Sequence, residues 1–164
     1  MSEEKVLVVY YSRTGTTRKV AEAIAELLGC ELEEIIDTVD RSGAWGYLAS
    51  GRDALKKRAA EIKAPQRDPG DYDLVVLGTP VWAWTMSSPM RGYLSQYAGR
   101  LPEVAFFCTT GGTGVKRTFR HMEAACGKPP RAVLGLRMKD VLKDRHTERL
   151  AQFAEELGSA GEAA

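Results

Sequence analysis

Cysteine is scarce in this 164-residue chain: Cys30, Cys108 and Cys126 form no C-x-x-C pair and leave an odd thiol. A disulfide framework is therefore not expected, and a reducing compartment is. The two histidines, His121 and His146, share no ligand spacing with the cysteines, so no metal site is expected. No apolar run approaches the roughly 20 residues that cross a bilayer, which speaks against membrane insertion. The start, Met-Ser-Glu-Glu-Lys, is polar and acidic; it lacks the basic lead and apolar stretch of an export signal, and a cytoplasmic protein is expected. Two phosphate signatures are also missing. There is no G-x-x-x-x-G-K-[ST], and no G-x-G-x-x-G follows the first apolar run, which excludes the nucleoside triphosphate loop and the dinucleotide fingerprint.

What is present is an ordinary globular mixture, 44% hydrophobic and 27% charged, in a length suited to one domain spanning 1–164. The net charge of +1 hides an uneven distribution: residues 1–40 hold four basic and nine acidic groups, residues 116–145 nine basic and three acidic. The basic half spreads over several elements without a basic recognition helix, so no nucleic acid partner is expected.

Residues 5–11 (KVLVVYY) are apolar, β-branched and aromatic, the pattern of a strand buried on both faces. Val20, Ile24 and Leu27 have helical spacing over 16–28, and Gly29 is a helix stop. A short strand follows near 30–36. Trp45, Leu48, Leu55, Ala59 and Ile62 share one stripe, with Lys56, Lys57 and Arg58 outside it; this spacing predicts a long helix over 44–62. Residues 64–71 are a loop by composition. Strands are expected at 73–79, 103–109 and 131–138. Helices are expected from Ser88 as N-cap with Pro89 at its first position, over 114–126 ending at Gly127, and over 146–157. Strand and helix alternate five times, which implies a parallel sheet with helices on both faces. Ligands in such sheets sit beyond the carboxyl ends of the strands, where strand order reverses.

Three loops lie at those ends. The first, Ser12-Arg13-Thr14-Gly15-Thr16-Thr17, sets four hydroxyls and a glycine before a helix. Hydroxyls, exposed N–H groups and the positive helix end suit a phosphate dianion. It has no cysteine, as a low-molecular-weight tyrosine phosphatase would require, and Thr79 stands where a receiver domain needs aspartate. The second loop is Thr79-Pro80-Val81-Trp82-Ala83-Trp84-Thr85-Met86. Its tryptophans are suited to cover a flat ligand or to fill the core. The third, Thr109-Thr110-Gly111-Gly112-Thr113-Gly114, has glycines that let backbone approach a planar ring. Cys108, just before it, reads as a packed strand residue.

These loops resemble those of the flavodoxin-like family along nearly the whole chain. Ser12, Thr14, Gly15 and Thr17 match its [ST]-x-T-G-x-T phosphate motif, GTPVWAWTMSSPMRGYL is similar to its second flavin loop and the helix after it, and FFCTTGGTG to its third. The resemblance implies a doubly wound five-stranded parallel sheet of order 2-1-3-4-5. It also implies noncovalent FMN, with the phosphate on the first loop and the ring between the other two. Electron transfer between redox protein partners is the implied function. The alternative is an NAD(P)H-dependent reductase of a quinone or a flavin, and self-association into a homo-oligomer is compatible with either. No side chain is assigned as general acid or base. The chain departs from the family in three ways. It is nearly neutral where flavodoxins are acidic, residues 109–118 hold no aromatic or acid, and residues 79–87 hold no glycine. The last two features lean toward two-electron reduction. Lys116, Arg117 and Arg120 are placed to steer an anionic nicotinamide cofactor.

Overall fold

The computed structural model describes residues 4–38, 43–55 and 59–163. Strand β1 (Val6–Tyr10) is apolar throughout because both of its faces are covered. Leu7 and Val9 join one core, and Val8 and Tyr10 the other. The same division runs through β3 (Leu74–Trp82) and β5 (Glu103–Thr110), as the period of two in a strand requires, while the edge strand β6 (Pro130–Arg137) gives buried residues only to the second core, Leu134 and Leu136.

The parallel strands are ordered β2-β1-β3-β5-β6, with β2 at Glu31–Glu34. This is the expected 2-1-3-4-5 order, counting the parallel strands. A sixth strand, β4 (Thr85–Met86), was not foreseen; it pairs antiparallel with the end of β3, Val81 facing Met86 and Trp82 facing Thr85.

On one face, Val20, Ala21 and Ile24 of α1 (Thr16–Leu28) pack with Leu150, Phe153 and Leu157 of α6 (Thr147–Ala163). Val141 of the short α5 (Met138–Leu142) joins them. Helix α1 ends at Gly29, whose left-handed φ of 61° caps it as expected. On the other face lie α3 (Ser88–Tyr97), through Met90, Tyr93 and Leu94, and α4 (Val115–Cys126), through Met122 and Cys126.

Two expectations are corrected. The N-cap of α3 is Ser87 and not Ser88: Met90 N–H donates to Ser87 Oγ at 3.3 Å. Ser87 also receives the Thr79 hydroxyl at 3.0 Å, and its own N–H donates back to Thr79. This anchoring to β3 decides between two adjacent serines. The long helix over 44–62 is the shorter α2 (Gly43–Leu55). From residue 59 the chain is no longer helical: Ala60 N–H donates to Ser88 O, Lys63 N–H to Ile36 O, and Ile62 bridges Asp37. Tertiary pairing overrides the helical spacing. Lys56, Lys57 and Arg58 lie outside the described residues. The stripe is split as well: Trp45 is 85% exposed and Leu48 61%, while Ile62 joins the core.

Candidate functional site

The first loop leads from β1 into α1. Gly15 is the N-cap of α1 at φ 104°, with no side-chain cap on the helix and no acidic residue in its first turn. Gly15 N–H donates to Ser12 Oγ at 3.0 Å, which turns the loop back on itself. The opening N–H groups of α1 therefore keep their positive end for an outside acceptor. Arg18 in this turn is paired with Glu34 of β2, which raises its pKa. Thr14 is exposed, while Thr17 is buried and its hydroxyl meets that of Thr109 at 2.8 Å. That contact ties the first loop to the third.

The second loop is a two-residue hairpin. Ala83 and Trp84 both have positive φ, 48° and 65°, the requirement of a type I′ turn. The lack of glycine therefore does not keep this segment out of the left-handed region, and the expectation built on its absence loses its premise. Trp82 turns inward and meets Tyr11 edge-on at 5.4 Å. Trp84 is 52% exposed and donates its indole N–H to Thr113 Oγ1 at 3.3 Å. Behind the turn, Arg91 Nη2 donates to Thr85 Oγ1 at 2.9 Å, and Thr85 Oγ1 lies 2.6 Å from His121 Nδ1. Burial lowers the Arg91 pKa.

The third loop is held by Thr110, whose hydroxyl donates to Thr113 O at 2.9 Å and accepts from Gly112 N–H at 3.1 Å. Gly114 caps α4 at φ 100°, and a Cβ there would stand 3.0 Å from Trp84 Cα. Cys108 is fully buried, and burial pushes its thiol up to about 12.

These loops enclose a cleft of about 750 Å³ at the carboxyl ends of β1, β3 and β5. Of the expected site residues, Arg13, Thr14, Thr16, Thr17, Pro80, Val81, Trp82, Ala83, Trp84, Thr109, Thr110, Gly111, Gly112 and Thr113 line it. Ser12, Gly15 and Gly114 are not among its lining residues: Ser12 holds Gly15, and Gly114 packs on Trp84. Thr79 is fully buried and serves Ser87 instead. Sequence reasoning missed the wall supplied by α2, where Tyr47, Leu48 and Arg52 line the cleft, and missed Met138. Arg13 lies over the Tyr47 ring at 5.4 Å. The crowding of aromatic and aliphatic residues at 45–48 was the available signal, but helical spacing took up only Trp45 and Leu48, as part of one stripe.

An open parallel α/β sheet with three loops converging at its switch point defines a doubly wound ligand-binding fold. The flavodoxin family model matches residues 5–155. The chain belongs to the flavodoxin family.

A flavoprotein of Lactobacillus acidophilus NCFM, solved in complex with FMN, is 26% identical over 91% of this chain and 99% of its own, with a TM-score of 0.69. The apo-form of the flavoprotein from that organism is 27% identical over 84% and 93%, with a TM-score of 0.63. A Bacteroides eggerthii DSM 20697 protein described as a flavoprotein shares the fold at 23% identity over 86% and 95%, with a TM-score of 0.71. Among the described residues, no helix is long and apolar enough to cross a membrane.

Proposed function

We propose that the chain binds FMN noncovalently in this cleft and serves in electron transfer between redox partners. The observation that carries the reading is the uncapped start of α1, with Thr14 and Thr16 beside it, opening into a cleft that no carboxylate lines among the described residues. A phosphate dianion satisfies those donors, and a neutral ligand does not. Trp84 offers a flat, half-exposed indole beside the Gly111–Gly112 backbone, the surroundings a planar ring needs. FMN supplies the redox chemistry when bound. Thr14, Thr16 and the first N–H groups of α1 hold the phosphate, Thr17 locks the first loop to Thr109, and Trp84 orients and shields one end of the cleft.

Flavin fluorescence titrations with FMN and with riboflavin test the reading. FMN binds the parent more tightly, and Thr14→Ala weakens FMN while leaving riboflavin unchanged. Equal affinity of the parent for both ligands removes the phosphate assignment.

A second reading, an NAD(P)H-dependent reductase of quinones or flavins, is favoured by the exposed third loop, where Gly111, Gly112 and Thr113 bring no aromatic ring over the cleft. Anaerobic addition of NADPH to the FMN-loaded protein separates the two readings. Bleaching of the flavin absorbance supports the reductase, and an unchanged spectrum supports the carrier.

A further inference from the structure

Among the described residues, cations at both ends of the sheet are paired with carboxylates, but one group of them is not. At the amino ends of the strands, arginines are neutralised: Arg67 pairs with Glu31, Arg100 with Asp68, and Arg131 with Glu4 and Glu103. At the carboxyl ends Arg18 pairs with Glu34 and Lys19 with Asp144, whereas four cations after β5 and at the end of β6 do not. Lys116 and Arg117 stand in the first turn of α4, Arg120 follows one turn on, and Arg137 lies beside Thr110 in the β5–β6 register. All four are exposed, and none pairs with a carboxylate among the described residues.

This arrangement opposes the preferences of the helix. Cations in the first turn meet the positive end of the dipole, and α4 has no acidic residue there and no side-chain cap. Lys116 and Arg120 are like charges four residues apart, a repulsive spacing on a helix. The cations are not needed to line the cleft, whose own cationic residues are Arg13 and Arg52. The cleft, which meets the start of α4 where Trp84 packs on Gly114, exposes large apolar groups, Tyr47 and Leu48 from α2 and Trp84 from the hairpin. An apolar centre with a charged rim is the anatomy of a protein–protein interface. One small dianion would engage one or two of these cations, whereas charges spread over two turns of α4 and the end of β6 match an extended acidic surface.

We propose that this face docks an acidic electron-carrier protein, whose carboxylates meet Lys116, Arg117, Arg120 and Arg137 around the Trp84 end of the cleft. The proposal rests on the flavoprotein reading for its purpose but not for its contacts, so docking is measured on both the FMN-free and the FMN-loaded chain.

The probe is a plant-type [2Fe–2S] ferredoxin of net negative charge, titrated calorimetrically at low and at physiological ionic strength. Cytochrome c, a basic electron carrier, is the opposite-charge control. The parent binds the ferredoxin, more weakly as salt rises, and does not bind cytochrome c. The triple variant Lys116→Glu, Arg117→Glu, Arg120→Glu loses ferredoxin affinity at least tenfold while its FMN affinity is unchanged. It also melts at a higher temperature, because acids now complement the start of α4, which excludes misfolding as the cause. Three results would overturn the proposal: no ferredoxin binding by the parent at low salt, binding that charge reversal leaves intact, or a salt-sensitive dimer of the parent that occupies this face. If FMN fails to bind the parent while ferredoxin docking keeps its charge dependence, the flavin reading falls and the docking surface stands.

Discussion

Trp82 and Trp84 flank Ala83, yet one is 8% exposed and the other 52%. In an extended strand, residues two apart share a face; the left-handed pair at 83 and 84 breaks that alternation and sends the two indoles different ways. The sequence could not choose between them because the turn that separates them carries no glycine signal. Their substitutions are expected to part accordingly. Trp84→Ala lowers FMN affinity by about tenfold to a hundredfold, as the loss of one stacking platform implies (roughly 1–3 kcal/mol), and leaves urea stability nearly unchanged. Trp82→Ala opens the core beside Tyr11 and costs about 3–5 kcal/mol of stability. A fluorescence titration and a urea melt on each variant check this; similar losses of affinity from both would refute the division of roles. The thiols make a second test at this scale. Burial pushes Cys108 and Cys126 up to about 12, so neither is a thiolate near neutral pH. Native protein at pH 7.5, treated with iodoacetamide and mapped by mass spectrometry, is expected to show both unlabelled. Labelling of Cys108 before unfolding would show that the third loop opens.

The β3–β4 hairpin carries a non-glycine type I′ turn. A left-handed residue other than glycine costs roughly 1–2 kcal/mol, and this turn type favours asparagine at its first central position. Ala83→Asn is therefore expected to stabilise the protein by about 0.5–1 kcal/mol, raising Tm by about 1–4 °C for a chain of this size. A lower Tm would mean that Ala83 packs against something the larger side chain displaces. The elements that were legible in the sequence share one trait, a local signal that tertiary structure did not contest. The first apolar run is β1, Gly29 and Gly127 end α1 and α4, and the hydroxyl-rich loop opens α1. The illegible ones were decided at a distance. Residues 59–62 leave the helical pattern to bond with 36–38 and with Ser88. Ser87 wins the α3 cap because Thr79 reaches it. Leu48 belongs to the cleft although it shares the helical stripe with Ile62, and Tyr47, also in the cleft, lies off that stripe.

Across the whole molecule, two paired carboxylates, one at each end of the sheet, are held in their charged form. The Tyr72 hydroxyl, donating at 2.7 Å, and then Arg67 lower the pKa of Glu31. Lys19 lowers that of Asp144, which lies beyond the other end of the sheet. A carboxylate depressed in the folded state binds its proton more readily when unfolded. Its contribution is therefore full above the ordinary carboxylate range and is lost as the pH falls through the lowered folded value. Glu31→Gln is expected to flatten the acid limb of a stability–pH curve and to lower stability at pH 7, without altering the alkaline side; an unchanged acid limb would show that Glu31 pairs only weakly in solution. The edge that Glu31 occupies has a further bearing. Strand β2 is only four residues long, and three of them are glutamates, Glu31, Glu33 and Glu34. An edge strand is a template on which another chain can add itself and grow a fibre. A partner strand laid along β2 would find few backbone groups to bond and would press its own side chains against negative charge. The residues that anchor Arg18 and Arg67 therefore also guard the open side of the sheet against aggregation.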